Sequence, residues 1–194
     1  MRRNDSLNYY ISITNATKKL KRMENQQPTP GKYALTYGLI LGGISLVFNI
    51  MLYVMDMHYQ RDWTVGIIGL LIMVAILSIA IFQFKKANAG ILLLGQAIKI
   101  GVGGALIAAI IGVIYQYALA NFIDPDFVTK VLEVQSNKAV EAGKINSEQA
   151  AQQMEMGRKF FWIGYPAALL VSMFFGFIIS LIAGLIMKKS PSDY

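Results

Sequence analysis

Four stretches of the sequence, residues 33–55, 63–84, 100–123 and 160–187, contain no Asp, Glu, Lys, Arg or His. The shortest has 22 residues, and as a helix it is about 33 Å long, enough to cross a hydrocarbon core of about 30 Å. Soluble proteins seldom bury helices this long without a charge, and four in one short chain point to lipid. The prediction is an all-α, polytopic integral membrane protein with four antiparallel transmembrane helices. Its 194 residues suit a single domain, and only 15% of them are charged, against roughly a quarter in an ordinary soluble domain.

Composition also narrows the chemistry. There is no cysteine and a single histidine, His58. That excludes disulfides, Cys-ligated metals, a thiol nucleophile and any multi-histidine metal site. The formal charge of +7 would suggest nucleic acid in a soluble chain, but its distribution favours a membrane. Twelve of the 18 basic residues fall on one side of the four spans: seven in the N-terminal tail, then Lys85, Lys86 and Lys99, then Lys188 and Lys189. The acidic residues divide the other way, three against eight. By the positive-inside rule both termini are cytoplasmic. Trp63 and Trp162 open the second and fourth spans at the outer interface, where an amphipathic indole is favoured, and Tyr53 and Tyr59 flank the first outer loop.

The expected organisation is a basic cytoplasmic tail over 1–32, disordered, a transmembrane domain over 33–189, and a short cytoplasmic tail over 190–194. No apolar signal-peptide core precedes Tyr33, and Met23 is an alternative start. The Asn15-Ala16-Thr17 sequon lies on the cytoplasmic side, where it carries no meaning.

Several segments together carry a resemblance: Tyr37-Gly-Leu-Ile-Leu-Gly42, Phe84-Lys-Lys-Ala-Asn-Ala-Gly90, Leu94-Gly-Gln-Ala-Ile-Lys-Ile-Gly101, Asn121-Phe-Ile-Asp-Pro-Asp-Phe127 and Phe174 through Lys189. From about Gly31 to Lys189 the chain resembles the bacterial membrane family catalogued as domain of unknown function 4199. The resemblance implies a four-helix protein of the inner membrane of Gram-negative bacteria, with a periplasmic third loop. It implies no activity, and no catalytic residue carries over.

The sharpest pattern is in the fourth span, where Gly164, Ala168, Ser172, Gly176, Ser180 and Gly184 recur every four residues. Small residues at this spacing let backbones approach, which drives helix association in lipid. The stripe follows the i±4 ridge and suits a right-handed crossing. The third span offers Gly101, Ala105 and Ala109, with Gly104, Ala108 and Gly112 beside them, and the first offers Gly38 and Gly42. These faces either close the bundle on itself or join copies of the chain. Gly176→Leu would disrupt the fold in the first case and leave a folded monomer in the second.

Polar residues within the spans are uncharged: Ser45 and Asn49 in the first, Gln83 in the second, Gln116 and Asn121 in the third. They read as helix-locking hydrogen bonds between helices, or as the lining of a pathway. Ion-coupled transporters usually need an embedded acid or base, and none is present. Tyr165-Pro166 falls in the opening turns of the fourth span, where proline is tolerated, so it does not mark a broken helix.

Residues 90–99 are apolar, but added to the third span they give a helix of about 51 Å, too long unless part lies flat or the helix tilts. Lys85, Lys86 and Lys99 would then contact lipid headgroups or snorkel to set topology. The third loop, 124–159, reads as a helical hairpin. Asp124-Pro125 supplies a cap and first turn, and an apolar stripe follows at Phe127, Val128, Val131 and Leu132. Gly143 stops the first helix and Asn146 or Ser147 caps the second. Six acidic and five basic residues nearly cancel there, which disfavours nucleic acid and calcium. His58, with Asp56 and Asp62, sits in a short loop that should leave it in solvent. No metal site, cofactor or catalytic constellation emerges. The expectation is a non-enzymatic structural or accessory protein of the bacterial inner membrane, whose partners are the bilayer and a second copy or another membrane protein. The alternative is a passive pore lined by Ser45, Asn49 and Gln116.

Overall fold

The computed structural model describes residues 13, 14, 17, 28–60 and 63–190. The expectations for most of the N-terminal tail, the start at Met23, Asp62 and the last four residues lie outside them. Four long helices carry the chain: α1 Pro30–Val54, α2 Trp63–Ala87, α3 Leu94–Ala118, and α6 Gly164–Met187; two shorter ones, α4 Phe127–Glu141 and α5 Ser147–Phe160, lie between α3 and α6. The helical segments containing α1, α2, α3 and α6 are long and apolar enough to cross a membrane, which describes a multi-pass membrane protein.

The helix ends follow local chemistry. Pro30 opens α1, three residues earlier than the uncharged run, because its fixed φ suits a first turn that lacks an N–H partner anyway. Lys85 and Lys86 extend α2 past residue 84, where cations complement the C-terminal dipole. Two boundaries differ from expectation. Residues 94–99 are the first turns of α3 rather than a flat surface segment: Leu93 N–H bonds the Gln96 side chain to cap the helix, and Ala97 and Ile100 are fully buried. Leu92 exchanges two 3.0 Å backbone hydrogen bonds with Lys189, pinning the end of α6 to the α2–α3 connection. At its other end α3 widens into a π-helical turn, Leu119–Ile123. The fourth span begins at Gly164, because α5 runs to Phe160 and a 3-10 turn, Phe161–Ile163, joins the two.

α3 is the central element, with α1 on one side and α6 on the other. A Cβ on Gly38 would stand 2.9 Å from the Gly104 carbonyl oxygen, and one on Gly176 would stand 2.8 Å from that of Gly101. Only glycine permits these approaches. Contacts of α1 with α3 run in step along both chains, from Ala34–Gly104 to Gly42–Ile111, whereas those of α6 run in the opposite sense, from Gly176–Ala105 to Gly184–Ala97.

α2 packs only through its second half. Leu77, Ala80, Ile81 and Phe84 are completely buried, Phe84 edge-on to Tyr33. They join Leu92, Ala97, Ile100 and Ala183 in one cluster and Leu41, Ala105, Ala108 and Ile179 in the next. The first half of α2 leans on nothing so close: Gly66 and Gly69 face open space and Trp63 is 86% exposed. The bundle is therefore tight at the end bearing the Leu92–Lys189 pair and splayed at the end bearing α4 and α5.

Candidate functional site

The splayed end holds a cavity of about 840 Å³ between the first half of α2 and the other three long helices. Its apolar wall includes Val65, Gly66, Ile67, Gly69, Leu70, Met73 and Phe175; Asn49, His58, Gln60, Tyr115, Gln116 and Ser172 add polar atoms. No Asp, Glu, Lys or Arg lines it among the described residues. Its lining reaches no further than Met73, Ala109 and Phe175. Beyond these the layer of Leu41, Leu77, Ala105, Ala108 and Ile179 fills the bundle.

Over the cavity lies a polar clamp between the α1–α2 loop and the start of α4. The π-helical turn carries the chain sideways off α3 and brings Asp124 to Tyr59, whose hydroxyl donates to Oδ2. Lys130 Nζ donates to the Tyr59 hydroxyl at 3.1 Å and to Asp124 Oδ1 at 3.5 Å, and lies 5.0 Å from the Tyr59 ring centre. Burial opposes ionisation of Asp124, but the Tyr59 hydrogen bond and the Lys130 charge outweigh it and hold the carboxyl below its ordinary value. The same hydrogen bond to Asp124 raises the Tyr59 phenol, with burial adding to it. The Tyr59 hydrogen bond likewise raises Lys130. Below the clamp Phe127 and Val131 pack with Leu119 and Ala120, and Tyr53, Tyr59, Tyr115 and Phe161 close round them.

Asp124 therefore does not cap α4 as the sequence suggested. α4 begins at Phe127, with Asp126 before it and no side-chain cap, because the Asp124 carboxylate is engaged by the loop. The two helices expected in this connection, and the stop and cap signals between them, agree with the structure. Gly143, at φ +67°, follows the end of α4, and Asn146 and Gln149 cap α5 reciprocally at 2.8 and 3.0 Å.

His58 departs furthest from expectation. Its side chain is 7% exposed, tilted against Tyr53 and Tyr59 and stacked on Phe127. Nε2 is 3.7 Å from Asp124 Oδ2, beyond hydrogen-bonding reach, and neither ring nitrogen has a hydrogen-bond partner. Sequence reasoning missed it because a lone histidine in a short loop gives no local sign of what will cover it.

The small-residue faces lie mostly inside the bundle. Gly38 and Gly42 meet α3; Gly101 and Ala105 meet Gly176 and Ser180; Gly184 meets Ala97. The Ser172 hydroxyl donates to the Ala105 carbonyl at 3.1 Å. Ala109 and Ala168 border the cavity, and Gly164 has open space beside it. Of the polar set, Asn49 and Gln116 share the cavity and Ser45 is not among its lining residues. The amides of Asn49 and Asn121 bond their own helices, to Ser45 O and Tyr117 O, and do not join neighbouring ones. Lys86 and Lys99 are exposed and Lys85 half-buried at the tight end.

Residues 36–189 match the family described as Protein of unknown function (DUF4199). No curated protein and no solved structure matches the chain.

Proposed function

The chain belongs to the DUF4199 family, and as the function of that family is unknown we propose a role from geometry: a non-enzymatic accessory protein of the bacterial inner membrane. In this reading four antiparallel spans place both termini in the cytoplasm and α4–α5 outside it, as a hairpin that docks a second membrane protein. One observation carries it. With α4 and α5 in it, the link from α3 to α6 is far longer than a turn requires, and the Tyr59–Asp124–Lys130 clamp ties the start of α4 to the first loop. Long ordered connections of this kind are commonly functional.

The small-residue faces support a heterologous partner over a second copy, since Gly38, Gly101, Gly176 and Gly184 are already occupied within the chain. The test is gentle extraction into nanodiscs followed by native mass spectrometry. A second protein should copurify in fixed stoichiometry, and charge reversal on the exposed face of α5, at Glu148 and Glu155, should release it. A bare monomer in native extracts would end the accessory reading.

Orientation has its own measurement, which the cysteine-free sequence makes simple. A membrane-impermeant maleimide applied to intact spheroplasts should label Gln152→Cys and leave Ala89→Cys unlabelled.

The pore alternative draws on Asn49 and Gln116 sharing one cavity. The packed layer from Leu41 to Ile179 beyond Met73 weighs against it.

A further inference from the structure

The cavity at the splayed end has three properties that, taken together, specify a guest. Its walls are apolar along α2, from Val65 to Met73, and its polar groups include Asn49, His58 and Gln116. Among the described residues none that lines it is charged. Its α2 wall carries Gly66 and Gly69, each with open space where a Cβ would stand.

The second observation is His58. Its imidazole borders this cavity with a side chain more than nine-tenths buried, and both ring nitrogens are inaccessible and without hydrogen bonds. A buried polar atom left unpaired is costly, so a partner for it is favoured. The neighbouring clamp answers one nitrogen in part: Asp124, which accepts from Tyr59 and Lys130, stands at ion-pair distance, 3.7 Å, from Nε2. Nδ1 has nothing. By turning, the ring would offer a donor or an acceptor to a molecule in the cavity, and Gln116, in the last turn of α3, offers both.

We propose that this cavity is a binding site for a neutral amphiphile from the membrane. Its uncharged head, bearing carbonyl or hydroxyl oxygen, meets His58 and Gln116, and its apolar tail lies along Gly66, Gly69 and Met73. Pockets of several hundred cubic ångströms, mostly apolar with a few convergent polar groups, are typical of small-molecule sites. A neutral head is favoured over an anionic phospholipid head, because no cation lines the cavity among the described residues and a desolvated charge would find no partner there. Quinones and diacylglycerols share the required chemistry, and the experiment separates them.

The full chain, purified in detergent, is titrated with decylubiquinone, dioleoylglycerol or dioleoylphosphatidylglycerol and read by native mass spectrometry. One equivalent of a neutral ligand should bind, with the anionic lipid at least tenfold weaker. Whichever neutral ligand binds more tightly identifies the head. Gly66→Leu adds bulk to the cavity lining on the α2 side and Gly112→Leu on the α3 side, both at positions where a Cβ meets nothing within 4 Å. Each should weaken binding at least tenfold with thermal unfolding unchanged; two variants on separate helices guard against one failing to fold. His58→Phe should weaken the neutral ligand by a similar factor, since it keeps the ring and removes the nitrogens. Binding that survives both leucine variants, equal binding of the anionic lipid, or no bound neutral ligand would overturn the proposal.

Discussion

Asp124 decides how firmly the cap sits, because its carboxylate joins the first loop to α4 while only 12% exposed. Asp124→Ala removes the acceptor for Tyr59 and for Lys130. A hydrogen bond to a charged group is worth about 1.5–3 kcal/mol; the Lys130 side chain is 45% exposed, so its share is small. Amide hydrogen exchange in α4 should therefore quicken by one to two orders of magnitude, about tenfold per 1.4 kcal/mol, while α3 and α6 keep their protection. The sign with pH follows from the lowered carboxyl. Its folded value lies below the ordinary aspartate value of about 3.9, so its contribution is complete above that value and is lost as pH falls through the folded one. α4 exchange in the wild type, corrected for intrinsic rates, should rise below pH 4, and Asp124→Ala should abolish that acid limb. None of this was readable in the sequence. Tyr59 and Asp124 are 65 positions apart, and no periodicity or cap signature links them. Asp124-Pro125 instead carries a strong local signal for a helix cap, which the long-range contact overrides. The Asn146–Gln149 cap was legible because both partners lie within one turn.

At the level of elements, the spans and the small-residue stripe were open to reading, since both are one-dimensional patterns that lipid and close packing impose directly. The sequence could not say what the stripe faces. In the structure Gly176 meets Gly101 and Ala105, where an added Cβ would stand 2.5 Å from the Ala105 Cβ. Gly176→Leu should force α3 from α6 and cost about 1–3 kcal/mol or more, seen as a lower unfolding midpoint in detergent. Gly43→Ala, with nothing within 4 Å, should leave the midpoint unchanged or raise it. If Gly176→Leu kept its stability and changed only the size of the particle, the stripe would belong to an interface between copies. The splay of α2 was equally hidden. Hydropathy along 63–84 is uniform, and only tertiary contact shows that Leu77 to Phe84 are buried while Trp63 to Leu70 are not.

For the whole molecule, the contrast between the two ends separates the readings of function. A cavity closed off by Leu41, Leu77, Ala105, Ala108 and Ile179 leaves no continuous polar route. Reconstituted liposomes should therefore show the same glycerol permeability by stopped-flow light scattering as protein-free ones. Asn49→Leu should change nothing. Protein-dependent flux that disappears in Asn49→Leu would restore the pore.

The central place of α3 also orders events at the ribosome. α1 carries Gly38 and Gly42 for a surface that exists only once α3 has been made, and α2 rests its buried half on Ala97, Ile100 and Ala105 of the same helix. During synthesis the first two helices thus enter the bilayer with the faces they turn to α3 bare, and wait there for it. α6 arrives last onto a preformed groove, and the Leu92–Lys189 pair latches it. A nascent chain arrested before Leu94 is consequently a pair of helices whose small-residue faces have nothing to close on.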